Sequence, residues 1–425
     1  MKKIVALLLA CLMVMGLFAG CAGDDKGSVY YLNFKPEADA AWQELAAKYK
    51  EETGVEVKVV TAASGTYSDT LTAEIAKDEP VTLFNCGNAQ GLLDWADYTL
   101  DLTDTDIAGE LATTDFNLYD ADGKLKAIGY CYESFGIIVN LKLLKDAGYE
   151  LSDITNYATL KAVAEDIHAR AGELGFDAFT ASGLESSSSW RFSGHLANMP
   201  LYYEFDLLGV TEQPDHITGE HLDLFQNIWD LYINNSAADP ATLSTSTLEE
   251  ATAQFKEGKA VFYQNGSWEY NGLIEAGFTN EDLAMIPIYC GYPGEENAGL
   301  CSGTENCWAV NSQASEADQK ATLDFIYWVV TSEAGTKMLA EQFGAVPFKK
   351  AATPDNVFCA NANAMVAEGK YTVTWAFNHT PNVDSWRATV VTALAAYSAG
   401  TGDWSAVEDA FIDGWATEYK VQHGL

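Results

Sequence analysis

Residues Lys124–Asn140 read KLKAIGYCYESFGIIVN. Strands are mostly about 5–6 residues long, so a run this long and this apolar predicts two strands, with the chain leaving one sheet and entering another between them. Its one carboxylate is Glu133. A carboxylate buried without a partner is costly, so Glu133 is expected to face a cleft at the crossing.

The elements upstream alternate in type. Val29–Phe34 (VYYLNF) reads as a strand, and Trp42, Leu45, Ala46 and Tyr49 then mark one face of a helix stopped by Gly54. VEVKVV (Val55–Val60) is a second strand. A helix through Leu71 and Ile75 and a third strand, VTLFNC (Val81–Cys86), follow. This βαβα order builds parallel sheets that bind ligands beyond the carboxyl ends of their strands, which puts Phe34–Lys35 and Asn85–Asn88 on the functional edge.

Downstream, Leu160, Val163, Ile167, Ala171 and Leu174 form a helix face, followed by strand FDAFTA. AVFYQNGSWEY and LAMIPIY are further strands. Two helices, Asp318–Val330 and Glu333–Phe343, end at Gly344 and Pro347, and the segment from Pro354 onward reads as helical. The fold class is therefore α/β with two lobes.

The N-terminus sets an address. Lys2 and Lys3 precede an apolar run, Ile4–Ala19, which is shorter than a membrane-spanning helix. Phe18-Ala19-Gly20-Cys21 resembles the lipobox of bacterial lipoproteins, with Phe18 where that motif prefers Leu. The resemblance implies removal of residues 1–20, a lipid on Cys21, a polar tether over 21–28, and export to the outer face of the cell membrane.

Composition narrows the partners. The formal charge is −37, and such an acidic surface disfavours nucleic acid and anionic lipid. The chain carries 11 Trp, 21 Tyr and 19 Phe with only 20% charged residues, an aromatic surplus that suits a ligand face. Besides Cys11 and Cys21, the cysteines are Cys86, Cys131, Cys290, Cys301, Cys307 and Cys359. They have no zinc-ligand spacing and are expected to be mostly buried thiols, with room for one disulfide. The acidic stretch DLTDTDIAGE lacks the glycine of a calcium loop, and DADGK at Asp120–Lys124 reads as a turn between strands. Neither metal nor cofactor is expected.

Three segments together resemble the carbohydrate-binding solute-binding proteins of bacterial ABC importers, the family of maltose-binding protein. They are GYCYESFGIIVN with Glu133 and Asn140, EGKAVFYQNGSWEYNGL with Trp268, and FGAVPFKKAA followed by VDSWRATVVTALAAYSAGTGDW with Trp386. The resemblance spans the whole mature chain. It implies a periplasmic-binding-protein-like fold whose two lobes, each a mixed sheet flanked by helices, are joined by a hinge. The first lobe would comprise 29–131 and 306–350, the second 132–305 and 351–425. It further implies a polar contact from Lys35, sugar faces at Trp268 and Trp386, an oligosaccharide ligand and ABC permease partners. After the third strand, Asn85 and Asn88 stand where close relatives of maltose-binding protein present Trp and Asp, so the resemblance gives the class and leaves the sugar open.

The residue chemistry points the same way. A sugar needs aromatic rings for its C–H faces and carboxylates, amides or guanidinium groups for its hydroxyls, and Trp268-Glu269 and Trp386-Arg387 place these types side by side. Trp190, after four serines, is a further candidate, whereas Trp308 and Trp375 read as core. The expected ligand contacts are Lys35, Asn85, Asn88, Glu133, Trp190, Trp268, Glu269, Trp386 and Arg387, on a monomer without catalytic residues. The alternatives are a glycosidase using Glu133 and Glu269, and a binding protein for a peptide or polyamine.

Overall fold

The computed structural model describes residues 26–180, 183–210 and 213–425. The signal segment and the candidate lipid site Cys21 lie outside them.

Two sheets of six strands organise the chain. The first has the order β2-β1-β3-β11-β5-β4, built from β1 (Ser28–Asn33), β2 (Glu56–Thr61), β3 (Leu83–Asn85), β4 (Leu118–Tyr119), β5 (Leu125–Gly129) and β11 (Cys307–Val310). The second runs β12-β10-β6-β8-β7, with β9 also paired to β6. Its strands are β6 (Glu133–Asn140), β7 (Asp177–Phe179), β8 (Ala260–Gly266), β9 (Leu283–Ile286), β10 (Ala298–Gly303) and β12 (Tyr371–Thr374). Helices cover both faces of each sheet, which is why the strands read as continuous apolar runs. In β1, for example, Tyr31 packs with Trp42 and Phe325 on one face while Tyr30 and Leu32 pack with Leu71 and Phe84 on the other.

The run Lys124–Asn140 does divide between sheets: β5 ends at Gly129 in the first and β6 begins at Glu133 in the second. The chain returns between β10 and β11, through Thr304–Asn306. Strand direction brings both crossings to one place. Since β1, β2 and β3 are parallel, their carboxyl ends share an edge with the start of the antiparallel β11. In the second sheet β8 and β10 run antiparallel to β6, so their carboxyl ends meet its first residue: Glu133 is paired with Gly303, and Phe135 with Gly266. The parallel partners β7 and β12 end at the same edge.

Two expectations need correction. The segment after Pro354 is not all helix: Tyr371–Thr374, with alternating threonines, adds β12 to the sheet between the helices Val357–Ala367 and Val383–Ser398. The six described cysteines are all buried and free, so no disulfide forms among them. The Asp120–Lys124 turn is present, closed by the amide of Asp120 on the carbonyl of Lys124, with Gly123 at positive φ.

A candidate ligand cleft between the lobes

Lys35 follows β1 at the carboxyl edge of the first sheet and is 7% exposed. Its Nζ lies 2.7 and 2.6 Å from the two carboxylate oxygens of Glu133 and 3.4 Å from Glu37. Asn306, in the return crossing, donates to Glu133 Oε2 at 2.8 Å. Burial by itself would lower the Lys35 pKa, but the Glu133 and Glu37 carboxylates outweigh it and hold the ammonium charged. The same Nζ stands 5.2 Å from the ring of Trp268, in the second lobe. One side chain therefore links the first sheet, the crossing and an aromatic of the second lobe.

Trp268 follows β8 on a short turn, Ser267–Glu269, and its ring lies on the Cα of Gly266. A Cβ at that glycine would sit 2.2 Å from the ring. Trp190 is 6.1 Å away, and the His195 imidazole is 5.0 Å from Trp190 and 5.5 Å from Trp268. Both tryptophans are half-buried. Glu269 accepts from Asn265 Nδ2 at 3.1 Å. Burial raises its pKa to about 7, against the pull of Arg191 and Lys256.

The guanidinium of Arg387 packs between the ring of Phe377, 5.4 Å away, and Gly194, where a Cβ would come within 3.0 Å of it. Its Nε is buried without a hydrogen-bond partner. Glu305, beside Glu133 in the crossing, has its pKa raised by burial, an effect that Arg387 and Lys35 oppose. Asn378 donates to the carbonyl of Thr304 at 3.3 Å, while its Oδ1 is buried and unpaired. Unpaired buried polar atoms are rare in native proteins.

The candidates separate into groups. Lys35, Glu133, Trp190, Trp268, Glu269 and Arg387 converge on the edge where the sheets meet. Trp386 does not, and its expected sugar face is corrected: it is fully buried in the second-lobe core, its Nε1 donating to the Phe411 carbonyl at 2.9 Å and its ring packed on Phe411 and Trp415. Asn85 lies at the edge but is turned to backbone, accepting from Cys307 N at 2.7 Å and donating to Glu305 O at 2.8 Å. It fixes the return crossing. Asn88 caps the helix Ala89–Asp94 through the amide of Gly91. Sequence reasoning missed His195, Glu305, Phe377 and Asn378. For Glu305 and Asn306 a signal existed, since polar residues interrupt apolar strands at the return crossing.

Across the rim, Gln90 of the first lobe bonds Gln422 of the second, and Asn271 donates to the Glu341 carbonyl at 2.9 Å. These contacts join the two lobes beside the candidate site. Among the described residues, no group of His, Cys, Asp and Glu could hold a metal ion, and no helix is long and apolar enough to cross a membrane.

A sequence model of bacterial extracellular solute-binding proteins matches residues 44–367. The chain belongs to that family. Among curated proteins none matches it in sequence. Solved structures share the fold of this solute-binding protein over nearly its whole length. RafE in complex with raffinose is 16% identical, covering 92% of this chain and 99% of its own, with a TM-score of 0.71. A chitin oligosaccharide binding protein is 19% identical, with coverages of 94% and 99% and a TM-score of 0.71. The GacH receptor of Streptomyces glaucescens, solved unliganded and with acarbose, is 18% identical, with coverages of 93% and 98% and a TM-score of 0.68.

Proposed function

We propose that this solute-binding protein captures a neutral oligosaccharide between its lobes and delivers it to an ABC permease, acting as a monomer. The observation that carries the reading is the juxtaposition of Lys35 and Glu133 with the half-buried pair Trp190 and Trp268 at the edge shared by both sheets. Flat rings with charged and amide groups at their margin match a sugar's C–H faces and hydroxyl rim. The ligands of the structural relatives, raffinose and acarbose among them, support the same class. Arg387, Arg191 and Lys35 offset the carboxylates around the cleft, which favours a neutral ligand over a polyamine. Both Glu133 oxygens are engaged by Lys35, which commits that carboxylate to the contact across the crossing.

Thermal unfolding against raffinose, stachyose, chitotriose and xylotriose tests the reading. A ligand that binds only the folded state stabilises it by RT ln(1 + [L]/Kd), so one or more of these sugars should raise the Tm, and a flat response to all four would count against it. The proposal includes a lipid on Cys21, which would tether the receptor beside its permease. Cys21→Ser should move the protein from the membrane fraction to the medium, and unchanged retention would contradict the anchor.

A further inference from the structure

His195 is held more tightly than a cleft residue needs to be if it only fills space. It lies on a π-helical turn, Arg191–Leu196, a local widening of the helix that recurs at functional sites. Phe135 of β6 stacks beneath the imidazole, 3.9 Å away and within 8° of parallel. On β8, Gln264 is buried and places its Nε2 2.9 Å from His195 Nδ1. With the Gln264 amide nitrogen facing the ring and its Oε1 buried without a partner, the nitrogen can only donate, which assigns Nδ1 as the acceptor and the ring proton to Nε2. Burial, followed by the charges of Arg191 on its own turn and Arg387 on the helix Val383–Ser398, holds its pKa well below the ordinary histidine value. The remaining neighbours, Phe135, Gln264, Trp190 and Trp268, carry no ionisable group.

We infer that His195 is a specificity-determining residue, supplying a fixed Nε2–H donor beside Trp190 and Trp268, so that a sugar bound against these rings must offer it an acceptor oxygen and one bearing an ammonium group there is rejected. The inference rests on the oligosaccharide reading and deepens it. The class selected is neutral or acetamido sugars, as against amino sugars. An ammonium group has donors only, and it would meet a donor flanked by two arginines. A site built to bond a particular polar group rejects the analogue lacking it far more strongly than an apolar pocket could.

The experiment has two arms. Long-range proton–nitrogen NMR on ligand-free, 15N-histidine-labelled protein, assigned by the signal lost in His195→Gln, should show the Nε2–H tautomer with no titration between pH 8 and 5. An Nδ1–H tautomer, or titration near pH 6.5, overturns the inference whatever the ligand. The second arm compares tri-N-acetylchitotriose with its deacetylated counterpart at pH 7 by calorimetry. The acetylated sugar should bind at least about tenfold tighter. His195→Gln, whose amide can still donate, should keep that preference, and His195→Phe, which removes the donor but leaves both arginines, should narrow it. Equal or tighter binding of the deacetylated sugar overturns the selection. If neither these sugars nor raffinose binds, the oligosaccharide reading falls and takes the selection with it, while the tautomer is still decided by NMR.

Discussion

Removing Lys35 leaves Glu133 buried with one hydrogen bond. The two side chains are 8% and 3% exposed, so neither can turn to water without opening the cleft. Breaking a buried ion pair from one side costs about 3–5 kcal/mol, a large part of the roughly 5–15 kcal/mol by which a folded protein is stable. The pair is not symmetric. With Glu133 gone, Lys35 still has Glu37 at 3.4 Å, and Glu37 reaches solvent. With Lys35 gone, Glu133 retains only Asn306 Nδ2. Lys35→Met should therefore destabilise the protein by about 3–5 kcal/mol and Glu133→Gln by less, about 1–3 kcal/mol. The double variant should fall short of the sum by a coupling of about 0.5–3 kcal/mol. The assay is urea unfolding at pH 7.5 followed by tryptophan fluorescence and far-UV circular dichroism, and the two probes must coincide because a two-lobed chain can unfold in stages. A Lys35→Met variant within about 0.5 kcal/mol of wild type, or a Glu133→Gln variant that costs more, would refute the buried-pair argument.

Other substitutions distinguish the core from the cleft. Trp386→Ala should cost about 3–5 kcal/mol of stability, as large-to-small core changes do, and leave sugar affinity per folded molecule unchanged in calorimetry. Gly266→Ala should do the reverse: its Cβ would collide with the Trp268 ring, which must swing away, so affinity should fall with a smaller loss in unfolding midpoint. Glu269 gives a pH signature. Because burial raises its pKa to about 7, the folded chain retains a proton that the unfolded chain releases near 4.5. Folding therefore binds protons between these values, and this contribution to stability declines as pH rises from 4.5 to 7. Urea midpoints at pH 5 and pH 7.5 should show that decline in wild type and a flatter response in Glu269→Gln.

The crossing at Lys124–Asn140 was legible because apolar length and a single carboxylate are properties of a linear run. The edge loops at Lys35 and Asn85 were legible because strand direction follows from the βαβα order. Trp386 was misplaced although its spacing held the answer: Trp386, Val390 and Leu394 fall at i, i+4 and i+8, one face of a helix, and all three are fully buried. β12 could have been found from the alternation in YTVT. His195 could not. It reaches the cleft only through the π-helical turn, whose register departs from the 3.6-residue period, and its neighbours Phe135 and Gln264 come from strands distant in sequence. Pairings of that kind exist only once the sheet has formed.

The oligosaccharide reading stands on sugar binding at the Trp190–Trp268 face. It is tested most directly by calorimetry of the tightest-binding oligosaccharide against wild type and Trp268→Ala, with the unliganded Tm of each recorded alongside. Stacking on Trp268 buries apolar surface worth about 1.5–3 kcal/mol, so affinity should drop about 10- to 100-fold while the unliganded Tm barely moves, as suits a half-buried ring. Undiminished affinity in Trp268→Ala, or a variant that unfolds many degrees lower without ligand, would contradict the claim and make Trp268 a packing residue.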